Sequence, residues 1–196
     1  MKSHNLVRFV AGLIRHPSQF RGRIRELRQI SSAPDMKSTV SMDDMPSVDL
    51  VPVLSNKALQ ERLVSMYVDN PSPYVFGPRT IEALEEHLDR GVRYFLVTKD
   101  DGEYVGARAF DPNTKLSQST VTDFRHRGHG YQVSAAHVLM IMLAGEGYTE
   151  IRANVMSSNT RMLRAMIARG YEMSPDAENP KLIRGVLSLK KLKSRQ

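Results

Sequence analysis

The sequence predicts an α+β domain in which helices flank a central, mostly antiparallel, twisted sheet. Three runs with alternating apolar residues follow one another at 92–99, 103–111 and 116–124, and the turn signal Asp100-Asp101-Gly102 separates the first two. Strands spaced so closely form a meander. Stretches with apolar residues three and four positions apart lie on both sides of this meander and predict helices. The predicted order of elements is β-α-α-β-β-β-α-β-α-β-β.

The first elements of the predicted domain are a strand at 48–54 and two helices. Ser55 is a suitable N-cap for the first helix, which extends to about Tyr67. Thr80 caps the second helix, and Gly91 ends it. After the meander, the apolar spacing and the glycines predict a helix to about 146, a strand at 150–156, a helix at 159–168, and strands beginning at 171 and 182.

A loop with two glycines, Arg125-His126-Arg127-Gly128-His129-Gly130-Tyr131, joins the meander to a long apolar helix. Glycines one residue apart let the backbone turn without a Cβ clash. The first turn of the following helix offers unpaired N–H groups, and these groups and the helix dipole together favour a phosphate. Arg125 and Arg127 add cationic donors, so we expect a phosphorylated ligand, above all a pyrophosphate. The alternative is a glycine turn that only caps a core helix.

The pattern Arg-x-x-Gly-x-Gly at the start of a helix resembles the acetyl-CoA-binding motif of the GCN5-related N-acetyltransferases, the GNAT superfamily. A second motif of that family is matched further along the chain. A strand reaches Val155, Asn159 begins a helix, and Gly170-Tyr171 follow Asn159 by eleven and twelve positions. The resemblance covers about 48–190 and implies a GNAT-like three-layer fold.

The resemblance implies a transferase, an N-acetyltransferase with acetyl-CoA as co-substrate, in which an amine attacks the thioester directly. The loop would hold the pyrophosphate through backbone N–H groups, and the end of the preceding strand would bond the pantetheine arm. Asn159 would contact that arm near its reacting end, and it is also a good N-cap. The cofactor-binding residues predicted in this way are Val121, Thr122, Asp123, Phe124, Arg125, His126, Arg127, Gly128, His129, Gly130, Tyr131 and Asn159.

Acyl transfer to an amine needs a route for the proton of the amine and a donor to the carbonyl oxygen. Asp123 and Asn159 are the predicted catalytic residues, although Asp123 is also read as a solvated loop carboxylate. Many GNAT members carry a Tyr seven residues after the motif Asn, where it protonates the departing thiolate. This chain has Met166 there, which cannot donate a proton. A catalytically degenerate GNAT-fold domain that binds CoA or a protein partner is therefore the rival prediction.

The acceptor side is predicted at the proline-rich loop 69–79, which walls the acceptor site in the family. Tyr74 and Phe76 either stack on an acceptor or cover the edge of the core. The acceptor is expected to be a small-molecule or protein amine. No metal is expected, because His126 and His129 lie three residues apart without a further ligand at a suitable spacing nearby.

Basic charge is concentrated before the predicted domain. Residues 1–31 contain seven basic residues and one acidic residue, so they carry +6 of the net charge of +7. Apolar residues at helical spacing make this segment a basic amphipathic, helical arm, which a linker at 32–47 follows; a basic tail occupies 191–196. The arm is expected to dock on its own domain or on a partner subunit, as in a homodimer, or to lie on an anionic membrane surface. A transit peptide or a disordered segment is the remaining alternative.

Composition limits the class of protein. The chain has no Cys, which excludes a disulfide framework and thiolate chemistry. No apolar run reaches the ~20 residues that a membrane-spanning helix needs. Outside the arm the positive and negative charges nearly balance, which argues against specific nucleic-acid binding by the domain. Nucleic-acid binding would therefore have to depend on the arm. These features predict a cytoplasmic protein that is at most peripheral to a membrane.

Overall fold

The computed structural model describes residues 45–54 and 56–190, which form seven strands and four α-helices. The elements are β1 (Asp49–Pro52), α1 (Lys57–Asp69), α2 (Ile81–Asp89), β2 (Arg93–Thr98), β3 (Tyr104–Asp111), β4 (Leu116–Thr122), α3 (Tyr131–Gly145), β5 (Glu150–Met156), α4 (Thr160–Ala168), β6 (Glu172–Pro175) and β7 (Leu182–Ser188). A short 3₁₀ helix, Phe124–His126, lies between β4 and α3. The predicted order of elements is confirmed. The predicted arm, most of the linker and the tail lie outside the described residues.

The chain divides into two compact units. Of the described residues, the larger unit contains 45–54, 56–151 and 188–190, and the smaller unit contains 152–187. In the larger unit β1, β2, β3 and β4 lie side by side in that order, and each is antiparallel to the next. The smaller unit holds most of β5 and β7 together with β6. There β7 lies between β5 and β6 and is antiparallel to β6.

Helices cover both faces of the four-stranded sheet in the larger unit. Leu63 of α1 and Leu84 of α2 pack with Leu96 of β2 on one face. Ala135 of α3 packs with Val97 on the other face. Neighbouring residues of a strand point to opposite faces, so one apolar strand supplies both cores. The unit therefore has three layers, as predicted. Among the described helices, none has the length and apolar character that a bilayer span requires.

The helix ends follow the usual capping rules and differ from prediction at one position. Asn56, not Ser55, is the N-cap of α1, and its Oδ1 accepts a hydrogen bond from the N–H of Leu59 at 3.2 Å. Asn and Ser cap helices about equally well, so the sequence did not separate the two neighbours. Thr80 caps α2 as predicted, with its Oγ1 accepting from the N–H of Ala83 at 3.2 Å.

A bulge interrupts the pairing between β3 and β4. Ala107 is paired with Val121, whereas Ala109 is paired with Gln118, so β4 contains one residue more than β3 over this interval. Ser119 lies in the bulge with a φ of +52°. The left-handed region is uncommon for residues other than glycine. Bulges bend a strand and redirect its side chains, often next to functional sites.

Candidate functional site

The loop between β4 and α3 presents five consecutive backbone N–H groups. The N–H groups of Val133 and Ser134 donate to the carbonyl of Gly130 at 2.8 and 3.2 Å. Within the described part of the chain, those of residues 128–132 have no protein acceptor. Gly128 and Gly130 have φ values of +89° and +83°, which glycine adopts without strain. Because the positive end of the α3 dipole lies here as well, an anion fits this arrangement.

The loop is open on the side of Gly128. Apart from its two chain neighbours, no described residue has a heavy atom within 4 Å of the position that a Cβ on Gly128 would occupy. At Gly130, a Cβ would lie 3.6 Å from Cδ of Pro46, so the residues that precede β1 pass beside the loop. A ligand can therefore approach the free N–H groups from the Gly128 side.

The basic side chains of the loop are partly engaged with protein groups. Nε and Nη2 of Arg125 donate to Oδ1 and Oδ2 of Asp123 at 3.1 and 2.7 Å. Nε of Arg127 lies 3.4 Å from the carbonyl oxygen of Thr122. The Arg125 side chain is nevertheless 56 % exposed, so part of its guanidinium faces solvent. The loop thus offers an anion both backbone donors and reachable positive charge.

The two loop histidines contact protein groups on the larger unit. Nε2 of His126 lies 3.1 Å from Oε1 of Glu103, and its ring lies 5.9 Å from the ring of Tyr131. The ring of His129 lies 6.1 Å from that of Tyr131. Over residues 45–54 and 56–190, no three His, Asp or Glu side chains are grouped as a metal ion would need.

Asp123 is buried, so the expectation of a solvated loop carboxylate is wrong. It is 5 % exposed, because the chain enters the 3₁₀ helix immediately after it and Arg125 folds back over it. Hydrogen bonds from the Arg125 side chain lower the pKa of Asp123 to about 2, although burial alone would raise it. A carboxylate with so low a pKa is a weak base at neutral pH. The structure therefore favours a structural role for Asp123 over its predicted catalytic one.

We expect Asp123→Asn to destabilise the chain by about 1 to 2 kcal/mol at neutral pH, because a pKa shift of one unit corresponds to about 1.4 kcal/mol and the partly exposed arginine weakens the pair. The folded pKa lies below the unfolded one. The contribution is therefore complete above the unfolded pKa and is lost as the pH falls towards about 2. Urea unfolding should show a constant difference between wild type and variant from about pH 7 to 5, and a shrinking one below about pH 4. A difference that does not change with pH would contradict this role.

The end of β4 offers fewer free backbone groups than the resemblance implies. The N–H of Asp123 donates to the carbonyl of Val105 at 3.0 Å. The N–H of Phe124 donates to Oδ1 of Asn70 at 2.7 Å. Because successive N–H groups of a strand point to opposite sides, the N–H of Thr122 points away from β3. The predicted contacts between the backbone of residues 121–124 and a pantetheine arm stay a prediction.

Gln132 anchors the first turn of α3 on the sheet. Its Nε2 donates to the carbonyl of Val121 at 2.6 Å. Gly106 of β3 makes this contact possible, since a Cβ there would lie 2.4 Å from Nε2 of Gln132 and 2.5 Å from the carbonyl oxygen of Val121. The sequence did not lead us to predict this anchor. A glycine inside a strand was the available signal, because it often marks a close approach.

The two aromatic residues of loop 69–79 are exposed. Tyr74 is 44 % and Phe76 is 68 % accessible, so they do not cover the edge of the core. The backbone of the loop is nevertheless tied to β4, because the hydroxyl of Ser119 donates to the carbonyl of Phe76. These side chains are therefore free to contact a ligand from a fixed position.

In the smaller unit, Asn159 is the N-cap of α4. Its Oδ1 accepts a hydrogen bond from the N–H of Met162 at 3.2 Å, which confirms the capping alternative. The side-chain amino group of Asn159 has no hydrogen-bond partner among the described residues. Its predicted contact with a cofactor stays a prediction that depends on the sequence motif.

Met166 belongs to the core of the smaller unit. It is 3 % exposed. A Cβ added to Gly185 of β7 would lie only 2.4 Å from its Cε, so the methionine packs directly on that glycine. The position therefore holds a packing residue and provides no proton donor.

Solved structures that resemble this chain include several acetyltransferases. The spermidine/spermine N-acetyltransferase SpeG from Vibrio cholerae is 12% identical, with a TM-score of 0.60 over 76% of this chain and 97% of its own. An acetyltransferase from Thermus thermophilus is 21% identical, with a TM-score of 0.58 over 72% and 97%. A GNAT family acetyltransferase from Elizabethkingia anophelis with acetyl-CoA bound is 12% identical, with a TM-score of 0.53 over 72% and 97%. No family model and no curated protein sequence matches the chain. The chain therefore has the fold of the GNAT acetyltransferases, as its two sequence motifs predict.

Proposed function

We propose that this chain is an N-acetyltransferase that moves the acetyl group of acetyl-CoA to a primary amine. The observation that carries the proposal is the row of free N–H groups at residues 128–132, on the open side of the glycine loop. A diphosphate suits this row, because several of its oxygens can accept hydrogen bonds at the positive end of a helix. The fold supports the proposal, since one structure of the same fold holds acetyl-CoA.

In the proposed complex, the loop binds the diphosphate and the end of β4 aligns the pantetheine arm. Arg125 and Arg127 add positive charge beside the N–H groups of residues 128–132. The N–H of Thr122 is the proposed backbone donor to the arm. Gln132 keeps the first turn of α3 in place by its bond to the sheet. The protein thus contributes orientation and charge, which are large terms in acyl transfer.

The proposed reaction is a direct attack of a neutral amine on the thioester carbonyl. A C–N bond forms, the C–S bond breaks, and CoA leaves as a thiolate. The amine loses one proton and the thiolate gains one, so the step is balanced by proton exchange with water. We assign this exchange to water because Asp123 is held by Arg125 and Met166 lies in the core.

The acceptor and the assembly belong to the proposal as well. SpeG is a spermidine/spermine N-acetyltransferase, and one of its structures is a complex with manganese ions. One structure of a spermidine N-acetyltransferase from Vibrio cholerae is dodecameric. For this chain we propose a small-molecule or protein amine as acceptor, a homodimer as the simplest assembly, and no resident metal. We place the protein in the cytoplasm, with the basic arm at 1–31 contacting a membrane surface or a second subunit.

A turnover assay tests the proposal. The chain is mixed with acetyl-CoA and with amines of several classes, including arylalkylamines, amino sugars, polyamines and lysine peptides, with and without EDTA. We expect release of the CoA thiol that depends on the amine and not on EDTA. The buried Met166 favours the rival, a degenerate domain. Calorimetric binding of acetyl-CoA without thiol release from any amine would support that rival. Absence of acetyl-CoA binding would overturn the acetyltransferase function and the CoA-binding form of the rival.

A further inference from the structure

Ser119, in the bulge of β4, is strained and is held on two sides. Its φ of +52° lies in the left-handed region, which a serine adopts only where its surroundings impose it. Its carbonyl accepts a hydrogen bond from the hydroxyl of Tyr67 in α1. Its own hydroxyl donates to the carbonyl of Phe76 in loop 69–79. One residue therefore links a helix, a strand and a loop.

The loop is fixed from a second direction by Gly77. A Cβ on Gly77 would lie 2.3 Å from Cε1 of Tyr67, so the tyrosine ring packs directly against the loop backbone. Tyr67 is itself 2 % exposed and cannot move aside without opening the core. We name Tyr67, Phe76, Gly77 and Ser119 the bulge lock. Through Tyr67, α1 contacts both the bulge at Ser119 and the loop at Gly77. The bulge in turn binds the loop at Phe76.

The bulge lock fixes the backbone of a loop whose aromatic side chains face solvent. The rings of Tyr74 and Phe76 are largely accessible although the Phe76 carbonyl is bonded. Aromatic side chains on a fixed backbone lose little freedom when a ligand binds, and they offer a large apolar area. Asp69 and Arg79 are the only charged residues of loop 69–79, so the loop carries no net charge. Such a surface suits an apolar group better than a polycation.

Building on the proposed acetyltransferase function, we propose that Ser119 is a positioning residue. By holding loop 69–79 against β4, it fixes Tyr74 and Phe76 as an apolar surface for the acceptor. The acceptor is then a primary amine that carries an aromatic or apolar group. Ser119 acts through the loop and takes no part in binding the diphosphate.

The first experiment compares two acceptor probes, 2-phenylethylamine and spermidine, on the full chain. We expect kcat/KM to be about tenfold or more higher for 2-phenylethylamine, which corresponds to the burial of part of its ring. Ser119→Ala should lower this kcat/KM about tenfold, mainly through KM, because one hydrogen bond of the lock is lost. The Kd of acetyl-CoA should not change. A preference for spermidine would overturn the acceptor class.

Thr120→Val is the matched control for Ser119→Ala. Thr120 is the next residue of the same strand, and its side chain makes no hydrogen bond to another described residue. Valine has nearly the shape of threonine and is also β-branched, so this substitution removes only a hydroxyl from the strand. It should leave kcat and KM at wild-type values. Equal effects of the two substitutions, or no effect of either, would overturn the positioning role of Ser119.

A fluorescence experiment tests the bulge lock without turnover. The chain has no Trp, so Phe76→Trp introduces a single reporter into the loop. In this background, Ser119→Ala should increase acrylamide quenching and lower the fluorescence anisotropy, whereas Thr120→Val should change neither. Unchanged quenching would overturn the lock even in an active enzyme. A loosened reporter in a chain that acetylates neither amine would support the lock and reject the proposed acceptor class. If none of the amines of the turnover assay is acetylated, the acetyltransferase function is rejected as well.

Discussion

A Gly128→Glu variant is expected to bind acetyl-CoA about 100-fold more weakly than the wild-type chain, a change of about 3 kcal/mol. The new carboxylate would enter the open side of the loop, where we place the diphosphate, and like charges at short distance repel by a few kcal/mol near a protein surface. Glutamate at a φ of +89° adds backbone strain to the loop. Isothermal titration calorimetry measures the difference directly.

Gly147→Glu is the control for charge and strain. Gly147 has a φ of +100° and follows the other end of α3. Beyond its chain neighbours, no heavy atom of residues 45–54 and 56–190 lies within 4 Å of its Cβ position. The helix between the two glycines has 15 residues and is therefore about 22 Å long. Gly147→Glu should therefore keep the wild-type affinity. Similar losses of acetyl-CoA affinity in both variants would show that the effect comes from backbone strain. Normal binding by Gly128→Glu would contradict the proposed site.

The second large effect is expected for Gly106→Ala, which should destabilise the chain by about 2 to 4 kcal/mol. The added Cβ would meet Nε2 of Gln132 at 2.4 Å and the carbonyl oxygen of Val121 at 2.5 Å. The glutamine can move, but the carbonyl belongs to the ladder of β4 and cannot. Loss of the Gln132 anchor should also weaken acetyl-CoA binding, because the first turn of α3 is no longer held. Urea unfolding and calorimetry measure the two effects.

A double-mutant cycle with Gln132→Ala separates the two contacts that the new Cβ at position 106 would make, one with Gln132 and one with Val121. Gln132→Ala alone removes one hydrogen bond and should cost about 1 kcal/mol. In the double variant the new Cβ meets only the carbonyl of Val121, so the combined loss should be smaller than the sum of the single losses. Strict additivity would show that Gly106 and Gln132 do not depend on each other.

The succession of elements could be predicted because its signals are local. Glu150–Met156 alternates cleanly, and the predicted strand has the bounds of β5. Thr80 and Asn159 stand before apolar helical patterns and cap α2 and α4. The N-cap of α1 could not be fixed, because Ser55 and Asn56 are neighbours of equal capping ability.

The backbone conformation of the candidate site could be predicted from the sequence, but the residues that contact the loop could not. Two glycines before an apolar helix indicate a turn with free N–H groups, whatever the rest of the fold. The partners of this loop come from distant positions: Glu103 lies 23 residues before His126, and Asn70 lies 54 residues before Phe124. Contacts of this kind follow from tertiary packing, so the sequence did not reveal that His126 contacts Glu103 or that the N–H of Phe124 donates to the side chain of Asn70.

The bulge in β4 could not be predicted from the local sequence either. Leu116 to Phe124 alternates like a regular strand, and serine gives no signal for a left-handed backbone. The conformation of Ser119 depends on Tyr67, which lies 52 residues earlier in the chain. A strained residue held by a distant buried side chain is visible only once the helices are packed on the sheet.

The most direct test of the loop is an NMR titration of the ¹⁵N-labelled chain with acetyl-CoA and, separately, with S-acetylpantetheine, which lacks the phosphates. We expect the amide signals of residues 128–132 to shift downfield with acetyl-CoA, as N–H groups do when they donate to phosphate oxygens, and to stay in place with S-acetylpantetheine. Shifts of the same size with both ligands, or unmoved signals at 128–132 in the presence of bound acetyl-CoA, would contradict the assignment of this loop to the diphosphate.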